Sequence, residues 1–260
     1  MYLYLFLLTT AITLGHAEDK LTNNGISPHI VGGSDAEAGE FPYLVSLRIR
    51  QKGEIRDGHV CGGSILTYRW VVSAAHCTVN VKPVDIRIVA GSIKLSEGGS
   101  IYYVDRIVNG NFENRTKSDD ISLIKTKTDI VFNKYVRSIL LSLGPVPVGE
   151  DAMIVGWGFT DKYRTRRTDV LQKLMVHIRP YDVCLKYLPN YFKDTHTKIC
   201  IQREYGKGVC HGESGSPLIY QGLLYGIASF NIDNHCGVGV PTVYTEVRPY
   251  MTWIYSTIYT

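Results

Sequence analysis

From residue 43 almost to the C-terminus, β-branched and aromatic residues alternate with polar ones in short runs, broken by glycine, proline, asparagine and serine. This period predicts strands, because successive side chains of a strand point to opposite faces and one face must be apolar to be buried. Strands are predicted over 43–49, 70–74, 85–89, 101–108 and 121–126 in the first half of the chain. The second half predicts strands over 152–156, 171–178, 198–202, 217–220, 223–230 and 242–247, with Gln221-Gly222 as a hairpin turn. Helical spacing occurs once, after Pro249, where Tyr250, Trp253, Ile254, Thr257 and Ile258 share a face. The fold class is all-β with a C-terminal α-helix.

Composition narrows the setting. The 260 residues contain no linker or low-complexity stretch that would divide them, and a single β unit of this size can bury a sizeable core. A formal charge of +4, scattered except at Arg164 to Arg167, does not suggest nucleic-acid binding. Residues 2–14 are apolar and Gly15-His16-Ala17 supplies the small residues a signal peptidase reads. The run would also suit a membrane anchor, but it is shorter than the ~20 residues a spanning helix requires. Residues 1–17 are therefore read as a secretory signal, and no membrane association is expected of the exported product. Residues 18–29 are polar, contain Asn23-Asn24-Gly25 and Ser27-Pro28, and read as a flexible tether. In an exported chain the six cysteines point to three disulfides, for which counting alone leaves fifteen pairings. The competing reading of Cys61, His76 and Cys77 as zinc ligands is disfavoured by the same oxidising setting. Asn114-Arg115-Thr116 is an N-glycosylation signal.

The chemistry gathers around Val209-Cys210-His211-Gly212-Glu213-Ser214-Gly215-Ser216-Pro217-Leu218. A serine between glycines suits a tight loop that presents one hydroxyl and turns backbone N–H groups outward, and Gly212 and Ser214 are the candidate oxyanion donors. Serine attacks a carbonyl only if a base takes its proton. Val71-Val72-Ser73-Ala74-Ala75-His76-Cys77 ends an apolar run on a histidine, and Asp119-Asp120-Ile121 places a carboxylate directly before a strand. The chain order His76, Asp120, Ser214 differs from that of the α/β-hydrolases, whose G-x-S-x-G elbow also fails at Ser216.

With Ile30-Val31-Gly32-Gly33, Cys61-Gly62-Gly63-Ser64, Ala74-Ala75-His76-Cys77, Asp120-Ile121, Gly156-Trp157-Gly158 and the serine loop in this order, the chain resembles the trypsin/chymotrypsin family from Ile30 to its end. The resemblance implies two packed six-stranded antiparallel β-barrels over residues 30–260, and the disulfides Cys61–Cys77, Cys184–Cys200 and Cys210–Cys236. It implies a triad in which Asp120 orients His76, His76 takes the proton of Ser214, and Ser229 supports Asp120 beside the substrate pocket. It further implies a propeptide, residues 18–29, cut between His29 and Ile30, so that the new ammonium of Ile30 pairs with Glu213. Histidine before the cut departs from the family's usual Arg or Lys, and Glu213 stands where relatives carry aspartate. At the pocket floor Gly208 replaces the aspartate of trypsin, and Asn231 and Thr242 stand at two wall positions that trypsin and chymotrypsin leave as glycine. The pocket is expected to be short and to prefer small aliphatic side chains. No cofactor is implied, and Gly91-Ser92-Ile93 stands where calcium-binding relatives place a glutamate. The expected partners are a protein or peptide substrate, an activating protease and protein inhibitors, with the enzyme itself monomeric. The functional expectation is a secreted serine endopeptidase made as a zymogen. The alternatives are a protease-like binding protein that has lost turnover and an esterase or acyltransferase using the same triad.

Overall fold

Strands form where the alternation places them, and their pairing closes two rings. In the computed structural model residues 33–50, 58–158, 167–192, 196–202, 214–232 and 240–260 are described. After a short β1 (Ser34–Asp35), the first half supplies β2 (Leu44–Ile49), β3 (Gly58–Ile65), β4 (Trp70–Ser73), β5 (Ile86–Ala90), β6 (Ser100–Asn109) and β7 (Ser122–Thr126). The second half supplies β8 (Leu140–Leu141), β9 (Asp151–Gly156), β10 (Gln172–Arg179), α1 (Tyr181–Leu185), β11 (Lys198–Gln202), β12 (Pro217–Tyr220), β13 (Leu223–Asn231), β14 (Thr242–Glu246) and α2 (Met251–Tyr259). The first ring runs β2-β3-β4-β7-β6-β5 and returns to β2, and the second runs β9-β10-β11-β14-β13-β12 and returns to β9. Both are antiparallel six-stranded barrels, and closure leaves neither ring an unpaired edge. On the second barrel, β1 pairs with β10, and β8 adds to β13 in parallel.

Burial follows the period of two. Along β10 the residues Gln172, Leu174, Val176 and Ile178 are buried, whereas Lys173, Met175, His177 and Arg179 are less so. Gln172 is a polar residue on the inward face, and its amide Nε2 donates to Asp35 Oδ1 (2.5 Å) and to the Val170 carbonyl (3.0 Å). That contact ties the start of the described chain to the second barrel. The largest apolar cluster joins the two halves: Val45, Ile65, Val72 and Leu123 from the first pack in one group with Val155, Trp157, Ile227 and Ile254 from the second. The helix α2 docks into this cluster through Ile254, with Trp253 and Ile258 beside it, while Tyr255 and Tyr259 stack on its exposed side.

Besides the two-residue β1 and β8, two elements escape the sequence pattern. Strand β3 contains Gly62 and Gly63, which weaken any strand signal because they carry no side chain to alternate. Both glycines are required by what surrounds them. A Cβ on Gly62 would lie 2.0 Å from Ser216 Oγ, and one on Gly63 would lie 2.9 Å from a Leu47 methyl. The short α1, which begins directly after Pro180, is the other, and five residues are too few to display a helical period.

Candidate active site

The meeting of histidine and carboxylate follows from strand register. In the antiparallel pair β4–β7, Ser73 faces Ser122, so the end of one strand lies beside the start of the other. His76 stands three residues beyond Ser73, in a single 3-10 turn, Ala75–Cys77, whose Ala75 and Cys77 are buried. Asp120 stands two residues before Ser122 and is fully buried. The His76 backbone N–H donates to Asp120 Oδ1 (2.9 Å), and the ring Nδ1 lies 2.8 Å from Oδ2. An ionised carboxylate only accepts, so this contact puts the neutral ring's proton on Nδ1 and leaves Nε2 with the basic lone pair.

The second barrel supplies a third donor. Between β13 and β14 the register shifts between Ala228 and Phe230, and the residue at that bulge is Ser229. A bulge re-aims the side chain it carries. Ser229 Oγ donates to Asp120 Oδ2 at 2.5 Å, and Thr245 Oγ1 of β14 donates to the Asp120 carbonyl at 3.1 Å. Burial pushes the Asp120 carboxyl upward. The ring hydrogen bond and charge of His76, the Ser229 hydroxyl and the His76 N–H outweigh it, and hold Asp120 below the usual carboxylate range.

Ser214 is partly exposed at the junction of the barrels. Its carbonyl accepts from Gly62 N–H of β3 (2.8 Å), and the next N–H, on Gly215, donates to the Ala228 carbonyl of β13 (2.8 Å). Gly215 has φ +80°, and a Cβ there would lie 2.2 Å from Ser73 Oγ and 2.4 Å from the Gly62 carbonyl. Glycine is thus required directly after Ser214 by both conformation and space. No hydrogen bond joins Ser214 Oγ to His76 Nε2 among the described residues; in unliganded sites this contact is commonly long and tightens when substrate binds.

Asn231 and Thr242 face each other in the β13–β14 register, and Thr242 Oγ1 donates to Asn231 Oδ1 (2.9 Å). The two residues are therefore bridged side chain to side chain. Beside them Phe230 packs on Phe192, with ring centroids 5.4 Å apart. Asn114 lies on an exposed loop whose turn is organised by Glu113, which accepts from the N–H groups of Arg115 (2.9 Å) and Thr116 (2.6 Å).

The disulfides Cys61–Cys77 and Cys184–Cys200 are formed, with S–S distances of 2.05 and 2.06 Å. The first consumes both sulfurs of the Cys61, His76, Cys77 cluster, so neither cysteine can supply a thiolate to the disfavoured zinc site. Ile30, Gly208, Cys210, Gly212, Glu213 and Cys236 lie outside the described residues, as do the signal and propeptide segments. One buried polar pair was not anticipated from sequence. Ser46 Oγ lies 2.8 Å from His59 Nδ1, the His59 ring meets the Trp157 ring edge-on, and Arg167 donates to the His59 carbonyl. A lone histidine in a strand offers no sequence cue to such a partner.

Comparison with known proteins agrees with this fold. The family model described as Trypsin matches residues 30–254. Chymotrypsin-2 of Vespa crabro is 34% identical over 227 residues, which are 86% of this chain and 98% of the relative. Brachyurin of Leptuca pugilator is 32% identical, over 86% of this chain and 96% of its own. Among solved structures, neuropsin, a serine protease expressed in mouse brain, superposes with a TM-score of 0.76 at 28% identity, covering 87% of this chain and 98% of its own. The fold and the matches define a serine-type endopeptidase of the two-barrel kind. The chain belongs to the trypsin family.

Proposed function

We propose that the chain is a secreted zymogen whose processed form hydrolyses peptide bonds through Ser214, His76 and Asp120. The observation that carries this reading is the buried Asp120 carboxylate, on which the His76 ring, the His76 N–H and the Ser229 hydroxyl converge. It fixes the tautomer in which Nε2 takes the Ser214 proton and returns it to the leaving amine. The N–H groups of Gly212 and Ser214 stabilise the oxyanion, each worth roughly a hundredfold or more in rate, and water then releases the acyl group. Cleavage between His29 and Ile30 frees an ammonium that pairs with Glu213 and orders the oxyanion loop. The docking of Asp35 onto Gln172 supports this, because it anchors the chain close behind the new terminus. The formed disulfides support export to an oxidising compartment, where Asn114 carries a glycan.

The primary pocket takes small aliphatic side chains such as Ala or Val. The Thr242–Asn231 bridge supports this by closing the gap that a long or flat side chain would enter, and Gly208 puts no charge at the floor to receive Arg or Lys. The substrate is a protein or peptide, and protein inhibitors that mimic it compete for the same cleft. Cleavage of a peptide library by the processed protein tests the proposal. Hydrolysis after Ala or Val is expected, cleavage after Arg or Lys would overturn the pocket assignment, and no cleavage of any member would favour a protease-like binding protein.

A further inference from the structure

Lysine is seldom buried in a barrel wall, yet Lys198 at the start of β11 is only 5% exposed. Its cross-strand partner in the β11–β14 register is Thr245, which is fully buried, so the two side chains share a face. That face meets residues 117–120 of the first barrel. Lys198 Nζ donates to the Lys117 carbonyl at 2.5 Å and lies 3.4 Å from Thr245 Oγ1, whose own hydrogen goes to the Asp120 carbonyl at 3.1 Å. Tyr250 OH, from the turn before α2, donates to Asp119 Oδ1 at 2.7 Å. The segment so held is not relaxed: Lys117 has φ 53° and Asp119 has φ 48°, a left-handed conformation that non-glycine residues adopt at a cost and keep only when their surroundings impose it. Directly after these two residues comes Asp120, whose carboxylate must meet both the ring and the N–H of His76.

We propose that Lys198 is a positioning residue for catalysis, reaching from the second barrel to hold the strained 117–120 segment of the first so that Asp120 is presented to His76. The proposal rests on the reading of His76, Asp120 and Ser214 as the triad. Lys198 touches no reacting atom. It acts through the Lys117 carbonyl and, by way of Thr245, through the carbonyl of Asp120 itself. An ammonium suits this task because its three donors can serve carbonyl and hydroxyl acceptors together, and a charge-assisted bond is stronger than a neutral one. A methionine of similar length would fill the space and satisfy neither acceptor.

The test compares processed wild type with Lys198→Met and Lys198→Arg. It uses steady-state kinetics and the far-downfield proton NMR signal of the His76 Nδ1–H that is bound to Asp120. Lys198→Met is expected to lose about tenfold in kcat with KM changed by less than about twofold, since misplacement of an orienting group acts on the chemical step rather than on binding. Its Nδ1 proton signal should move upfield or broaden, and Lys198→Arg should restore most of the rate. A folded Lys198→Met with wild-type kcat and an unmoved signal would overturn the proposal. If Lys198→Met does not fold, Thr245→Val replaces it. That variant leaves Lys198 its carbonyl and removes only the hydroxyl that links it to Asp120, and it is judged by the same two readouts with the same contrary result. Labelling of wild-type Ser214 by a phosphonofluoridate separates failure of the triad from failure of the Lys198 role: an unlabelled wild type removes the triad, while the NMR signal still decides the role of Lys198.

Discussion

Asp120 decides more of this molecule than any other single residue, because its buried charge is tolerable only while its donors stay in place. Replacing it by asparagine keeps the volume but gives Nδ1 of His76 an amide that can present N–H instead of oxygen, so the ring loses its fixed tautomer. The expected loss for Asp120→Asn is about 10⁴-fold in kcat with the fold intact, checked by kinetics and circular dichroism. The same residue predicts a pH dependence of stability. Its carboxyl is held below the usual range in the folded chain, so the folded state prefers the ionised form. The resulting stabilisation is complete above the unfolded carboxyl value near ~4 and is lost as pH falls through the folded value. Melting temperatures followed from neutral pH into acid should therefore fall more steeply in wild type than in Asp120→Asn. Ser216 offers the opposite case. Its hydroxyl is buried and has no hydrogen-bond partner among the described residues, while a Cβ at Gly62 would lie 2.0 Å from it. Ser216→Ala should raise stability by about 1 kcal/mol, seen as a higher denaturant midpoint, because a buried hydroxyl without a partner costs more than a methyl in its place.

Between elements, register does the positioning: β4 against β7 brings His76 to Asp120, the β13 bulge aims Ser229, and the β13–β14 pairing sets Asn231 opposite Thr242. Thr242→Gly removes one end of the bridge and should widen acceptance towards aromatic side chains. The shift in relative kcat/KM for Phe over Ala substrates is expected to correspond to about 1–3 kcal/mol. Unchanged selectivity would place the pocket wall elsewhere. Much of this level was legible in the sequence, because alternation marks a strand and the triad motifs sit at strand ends. What was not legible has physical causes. Strand β3 hides because Gly62 and Gly63 yield their side-chain space to Ser216 and Leu47. Lys198 reads as a polar start to a strand, and its contact with the Lys117 carbonyl across the barrels is a tertiary feature that alternation does not display. A bulge at Ser229 leaves no mark on the hydrophobic pattern, since the shift belongs to the pairing of two strands and not to either one.

At the scale of the whole molecule, two closed barrels share one apolar cluster; the proposed base and carboxylate come from the first barrel, and the proposed nucleophile and its supporting serine from the second. Under the zymogen proposal, the pairing of the Ile30 ammonium with Glu213 is what switches the activity on. Glu213→Gln should abolish most activity of the processed protein without unfolding it, and Glu213→Asp should retain or raise activity, because the shorter carboxylate still pairs with the ammonium. N-terminal sequencing of active material should begin at Ile30. Ser214 is proposed to be a nucleophile activated by His76 on a carboxylate that both barrels hold. Reaction with a phosphonofluoridate followed by mass mapping tests it most directly. One adduct per processed chain is expected, on Ser214, absent from His76→Ala and far slower in Asp120→Asn. An unmodified Ser214, or an adduct that forms equally well without His76, would contradict it.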